Sequence, residues 1–405
     1  MPDARLPPVR TISAALRTTT ERLVQELHAP SASAPDWDEH HWRIAQAAAA
    51  IHGIAPVLAR RLSWGGPPGW RTFLQQQHEH TRQRHGKIID ALAQLDVAAR
   101  ERRLPIVALK GAALHAFGIY QPGERPMSDL DLLVRPHDKH AAVRLIESLG
   151  YDFSHEIWKH VVFEPRGLKA QPSIGEHVDN PIKIELHCAI AEMLPVERCD
   201  VSEIALPRSD MPGVCFYRSR GALMTHLLLH AAGAVAMHSV RAIHLYDVAR
   251  LSRVMTASDW EEVVDLARSD KFWWSLPVLV LAQRYFPGSI PSSLVEQAER
   301  ACAWPLRARC VLRALTDVSL SDLRIRAFPG IEWSRTPVDA WRCMSARLCP
   351  AQETLVLRKQ YGKFQSLGAE SPWVRSSQLA RMARWVAGGA VRVETMASVR
   401  AAFMS

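Results

Sequence analysis

The chain has 405 residues, of which 48% are hydrophobic and 22% charged. This excludes a disordered or fibrous protein and leaves material for two or three domains. Its formal charge of +9 is compatible with a polyanionic partner such as a nucleotide or RNA and equally with an unspecific basic surface, because net charge governs association rather than chemistry. Seven cysteines without a Cys-x-x-Cys pair suggest neither a disulfide framework nor a zinc motif. No apolar run suits a membrane span and no signal core opens the chain, so a reducing cytoplasm is the expected compartment.

In chain order, a helix is expected over Ile12–Leu27, in a stretch punctuated by Ala, Ser and Pro. Asp36–Leu62 reads as one helix, with Asp36 as cap, Glu39 completing a capping box, and Ile44, Ala48, Ile51 and Ala55 at helical spacing. Gly65-Gly66-Pro67-Pro68-Gly69 is a break. Trp70–Arg103 resumes as a long polar helix with Ile88, Leu92, Leu95 and Ala99 as its buried stripe.

The pattern changes at Leu104. Ile106–Leu109 is a strand, Ala112–Phe117 a short helix, residues 121–126 a loop, and Asp129–Val134 a strand. Lys139–Leu149 is an amphipathic helix stopped by Gly150, and Val161–Glu164 and Ile182–His187 are further strands. From Arg218 helices dominate: Ala222–Ala236, Arg241–Val254, Trp260–Ser269, Leu276–Tyr285 and Leu294–Cys302, with a basic amphipathic helix at Gln378–Ala387. The expected class is α+β, with a helical N-terminal region at 1–103, a mixed core at 104–205 and a helical C-terminal domain at 206–405.

Within the core, Asp129-Leu130-Asp131-Leu132 carries two carboxylates two residues apart in an apolar run. Period-two alternation puts both on one face of a strand and the leucines on the other. Two such carboxylates repel unless a cation or a shared proton relieves them, and hard oxygen ligands favour Mg²⁺. Ile182-Lys183-Ile184-Glu185-Leu186-His187 alternates in the same way. Glu185 can therefore approach the acidic pair if the two strands are neighbours, and together the three carboxylates can hold one or two ions. The plain alternative is a half-exposed strand with a wet polar face. Leu109-Lys110-Gly111-Ala112 lacks P-loop spacing, yet a Lys at a strand end can reach a phosphate and a Gly permits close backbone approach. Arg125, four residues before Asp129, can pair with either aspartate, contact phosphate or anchor its own loop.

Lys110-Gly111, then Tyr120, then Arg125-Pro126-Met127-Ser128-Asp129-Leu130-Asp131, then Ile184-Glu185-Leu186-His187 resembles the DNA polymerase β-like nucleotidyltransferase superfamily. Within it the pattern is most similar to an uncharacterised bacterial group often encoded near lasso-peptide genes, and it is related to the AbiEii/MenT-type transferases. The resemblance implies a minimal nucleotidyltransferase mixed sheet with flanking helices. It implies Asp129, Asp131 and Glu185 as catalytic residues and Mg²⁺ ligands, and Lys110, Gly111, Arg125 and Ser128 as nucleotide-binding. An NTP would be co-substrate and pyrophosphate the leaving group. The acceptor would be a peptide natural product or small molecule, with RNA as the other class. The chain departs from the superfamily in carrying Gly111-Ala112 where Gly-Ser or Gly-Gly is usual, which removes one hydroxyl contact.

His187 shares the Glu185 face, and His230 and Asp247 are expected to face each other as a supporting polar pair or a core hydrogen bond. Arg375, Arg381, Arg384 and Arg392 with Trp373 and Trp385 suit either an RNA surface or an ordinary helix face with Trp packed inward. Two further functions stay open beside the enzyme: a non-catalytic nucleotide- or peptide-binding module, and a toxin-like tRNA nucleotidyltransferase.

Overall fold

The structure is a computed structural model that describes residues 6–168, 173–206, 211–268, 272–350, 377–387 and 391–404. Helices α1 (Val9–His28), α2 (Glu39–Ile51), α3 (Ala55–Arg61) and α4 (Pro68–Glu101) precede the first strand. The expected 36–62 helix is two. Gly53 adopts φ +66°, and Gly53 N–H and Ile54 N–H return to Ala50 O and Ala49 O, the paired bonds of a Schellman stop. A Cβ at Gly53 would strike the Arg241 guanidinium, whose Nε donates to Ile51 O at 2.7 Å. The break thus docks α2 onto a residue 190 positions away. The cap is Asp38, not Asp36: its carboxylate accepts His41 N–H at 2.8 Å.

Strands β1 (Pro105–Ala108), β2 (Asp129–Leu133), β3 (Tyr151–Glu156), β4 (His160–Pro165), β5 (Lys183–His187), β6 (Ala191–Met193), β7 (Arg198–Asp200) and β8 (Gly213–Cys215) follow, with helices α5 (Lys110–Ala116) and α6 (Lys139–Ser148) between them. A mixed sheet forms in the order β3-β4-β5-β2-β1-β8, and β6 and β7 make a separate hairpin. β2 runs parallel to β5 and antiparallel to β1, and β8 extends the sheet parallel to β1. After a turn of helix α7 (Ser202–Ala205) and β8 come helices α8 (Arg220–Ala236) and α9 (Ala242–Ser252). Further helices include Leu276–Tyr285, Ser292–Ala301, Gln378–Val386 and Val393–Met404.

The alternation expected from the sequence divides the sheet into a dry face and a polar one. Leu130, Leu132, Ile184 and Leu186 are buried against Ile88, Leu92, Leu95 and Ala99 of α4 and Ala142, Leu145 and Ile146 of α6. At about 25 cal/mol per Å² of apolar surface, this face gives the strands their register. Leu133 and Val107 on the opposite face join a larger core that contains Ile12 of α1, Leu228 of α8, Leu245 of α9 and Ala402 near the C-terminus. Asp129 and Asp131 therefore point from the sheet towards the helical part. Among the described residues no helix is long and apolar enough to cross a membrane.

Of the C-terminal arginines, Arg381 and Arg392 are packed rather than displayed. Trp385 is buried beneath the Arg347 guanidinium, 4.5 Å from its ring centroid. Arg381 is buried and Arg392 donates to Asp322 O. Arg384 is exposed, whereas Arg375 and Trp373 lie outside the described residues.

Candidate active site

The parallel pairing of β2 with β5 sets Asp129 opposite Lys183, Asp131 opposite Glu185 and Leu133 opposite His187. The antiparallel β4 brings His160 opposite His187. Register alone thus gathers Asp131, Glu185, His187 and His160 on neighbouring strands. His187 Nε2 lies 3.1 Å from Asp131 Oδ1 and 3.8 Å from Glu185 Oε2. His160 Nδ1 lies 3.3 Å from the same Glu185 oxygen. The two imidazoles meet edge to face with centroids 4.8 Å apart.

Lys110 enters from the β1–α5 turn. It is the first residue of α5 and has φ +44°, a left-handed conformation that costs a non-glycine residue about 1 kcal/mol and recurs where function fixes a side chain. Its Nζ sits 2.7 Å from Asp131 Oδ1, and its N–H donates to the Tyr217 hydroxyl at 3.3 Å, which in turn contacts His226 Nδ1. Gly111 has a packing reason to be glycine: an added Cβ would collide with Arg125 Nη1 and reach 2.7 Å from Met127 Sδ.

Burial raises the Glu185 carboxyl to about 8, with Asp129 and Asp131 adding to the rise. Burial and then the Asp131 charge raise Asp129 as well. Asp131 goes the other way: burial opposes its ionisation, but Lys110 and His187 outweigh this and hold it well below the usual carboxylate range. For Lys110, burial works against the ammonium, and Asp131, Glu185 and Asp129 together hold its pKa above the usual value. Burial depresses His160 to about 3, and it depresses His187 against the pull of Asp131. The low value leaves the His160 imidazole neutral at pH 7.

The expected partnership of His230 with Asp247 does not form. Asp247, 1% exposed, accepts a two-pronged bond from Arg125 (Nε to Oδ1 2.9 Å, Nη2 to Oδ2 2.8 Å) and a third from the Tyr120 hydroxyl at 2.9 Å. A planar guanidinium matches a carboxylate better than an imidazole does, so Arg125 takes Asp247 and anchors its loop to α9. Neither Asp129 nor Asp131 receives it. His230 instead faces Glu192, with Nδ1 3.5 Å from Oε1, and the ring of His244. Ser128 accepts Lys183 N–H through its backbone oxygen and lies at the rim.

These groups line a cavity of about 310 Å³ bounded by β2, β5, α5, α8 and α9, and Lys159, Glu192, Arg241 and His244 contribute to its walls without having been marked by any motif. Lys159 pairs with Glu192 across it. An acidic trio on a mixed sheet thus stands beside a lysine from the preceding strand–helix turn. Residues 38–287 match the family described as uncharacterised nucleotidyltransferase, and the chain belongs to that family. No curated protein and no solved structure matches it.

Proposed function

We propose that the cavity catalyses Mg²⁺-dependent transfer of a nucleoside monophosphate from an NTP to a peptide or small-molecule acceptor. The observation that carries this reading is the convergence of Asp129, Asp131 and Glu185 on one wall of the cavity, with the Lys110 ammonium in contact with Asp131. Lys110 is the ammonium in contact with the trio, and burial, with the mutual repulsion of the carboxylates, raises Glu185 and Asp129 above ordinary carboxylates. Arg125 and Lys159 are already spent on Asp247 and Glu192. A divalent ion suits this all-oxygen set, with Asp129, Asp131 and Glu185 to hold it. When bound, it would supply positive charge against the triphosphate and the departing leaving group.

The remaining work falls to this chain's own groups. The Lys110 ammonium, held charged by its neighbours, faces the β- and γ-phosphates once NTP enters. Arg125 acts through its fork on Asp247, fixing the loop that carries Ser128 and Asp129. The acceptor hydroxyl attacks the α-phosphorus, the α–β P–O bond breaks, and pyrophosphate leaves. Glu185 turns Oε2 towards the two histidines, and Oε1 is the oxygen assigned to the acceptor's proton.

The test is to incubate the full chain with each α-labelled NTP, Mg²⁺ and panels of peptides, small molecules and RNA 3′ ends, following label transfer and pyrophosphate. Transfer that D129A and D131A each abolish is expected. Full activity in either variant, or NTP binding without turnover across all panels, overturns the proposal.

A further inference from the structure

Beside the acidic pair, the same sheet face carries a different donor chemistry. His160 Nδ1, Glu185 Oε2 and His187 Nε2 come from adjacent strands, and one ligand atom from each residue lies within 4.8 Å of the others. Glu185 Oε2 is 3.3 Å from His160 Nδ1 and 3.8 Å from His187 Nε2. Ligand atoms around an ion with bonds of about 2.0–2.2 Å stand roughly 3.0–3.6 Å apart, so a small imidazole rotation closes the set. Nothing among the described residues satisfies His160 Nδ1, which is buried without a hydrogen bond even though a carboxylate oxygen is this close. Orphaned polar atoms of this kind need an explanation, and a missing ion is one. The side chains are 12%, 20% and 8% exposed for His160, Glu185 and His187, so the site is sheltered yet opens onto the cavity.

We infer that His160, Glu185 and His187 form a binding site for a divalent transition metal, distinct in ligand type from the oxygen-only pair Asp129 and Asp131. Two imidazole nitrogens and one carboxylate favour metals of the Mn²⁺ to Zn²⁺ series over Mg²⁺, which prefers oxygen and gives up its water reluctantly. Three protein ligands leave open positions, the pattern of a working rather than a structural site. Asp131 Oδ1, 3.1 Å from His187 Nε2, is the adjoining oxygen and places the ion beside the acidic pair. The inference shares Glu185 with the proposed function but rests on His160 and His187, which that reading does not need, so the histidine variants test it separately.

Co²⁺ tests it. The full chain is titrated with Co²⁺ in the presence of excess Mg²⁺, which occupies oxygen-only sites, and visible d–d absorption and stoichiometry are recorded. One Co²⁺ per chain is expected, with H160Q and H187Q each weakening it by roughly tenfold or more, the scale on which metal sites respond to lost support. D129N is expected to keep the Co²⁺ band while losing nucleotide transfer. Nitrogen couplings in the electron spin echo of Mn²⁺ bound to the unaltered chain give a readout that does not depend on how the variants fold. Co²⁺ displaced by Mg²⁺, binding unchanged in H160Q, or an absence of nitrogen coupling overturns the inference. A chain that holds Co²⁺ on the histidines but transfers no nucleotide removes the proposed function and leaves this site intact.

Discussion

Gly111 and Arg125 are packed so closely that no side chain fits between them, and Met127 closes the third side. The Arg125 guanidinium cannot swing away, because both of its prongs are held by Asp247. G111A should therefore behave as an overpacked core substitution, destabilising by about 1–3 kcal/mol in a urea unfolding curve. A variant as stable as the parent would show that the Arg125 loop yields at no cost.

The Arg125–Asp247 pair makes a second prediction. Asp247 is buried with three donors around it, so D247N strands a buried guanidinium and should cost about 3–5 kcal/mol. The double variant R125M/D247L should recover most of that loss, since replacing a whole buried pair by apolar groups is often close to neutral. If D247N alone is neutral, the fork is not held in solution.

Asp129 should trade function against stability. Its carboxyl is raised by burial and by Asp131, and D129N removes that repulsion without changing shape. We expect a higher Tm in metal-free buffer together with loss of nucleotide transfer. A lower Tm would mean that the Asp129 charge is already compensated.

The pH dependence of folding should be visible at His52. Burial depresses it from 6.5 to about 3, with Arg241 adding to this. Its Nδ1 accepts Ala242 N–H and its Nε2 donates to Ser321 Oγ, which also bonds Thr20. Because the unfolded chain takes a proton that the folded chain refuses, this contribution is complete above pH 6.5 and is lost as pH falls towards 3. H52Q should be less stable at pH 7 but should shed up to about 1.4 kcal/mol per pH unit of acid sensitivity. Parallel stability–pH curves for the two proteins would refute the assignment.

The dry and polar faces of β2 and β5 were legible because alternation is a local property: Leu130, Leu132, Ile184 and Leu186 announce the buried side, and Asp129, Asp131 and Glu185 announce the other. The strand–helix turn bearing Lys110 was legible for the same reason. Asp247 as the partner of Arg125 was not, since 122 residues separate them and spacing carries no signal at that range. β8 has three residues, too few to show a period. β3 did alternate, through Tyr151 and Phe153, but its Phe153 is exposed and its polar content concealed it. The metal-ligating geometry of His160 arises from register across β4 and β5, which a single strand cannot display.

Lys110 resting on Asp131 has a consequence for how the protein is assembled in a cell. The tethered ammonium partly balances the aspartate once β1 pairs with β2, so this contact needs no ion. Any ion that arrives later meets a finished pocket with an internal competitor in place, and it must outbid that lysine. On the proposed function, an ion at Asp131 would have to displace this ammonium, which selects against weakly binding cations.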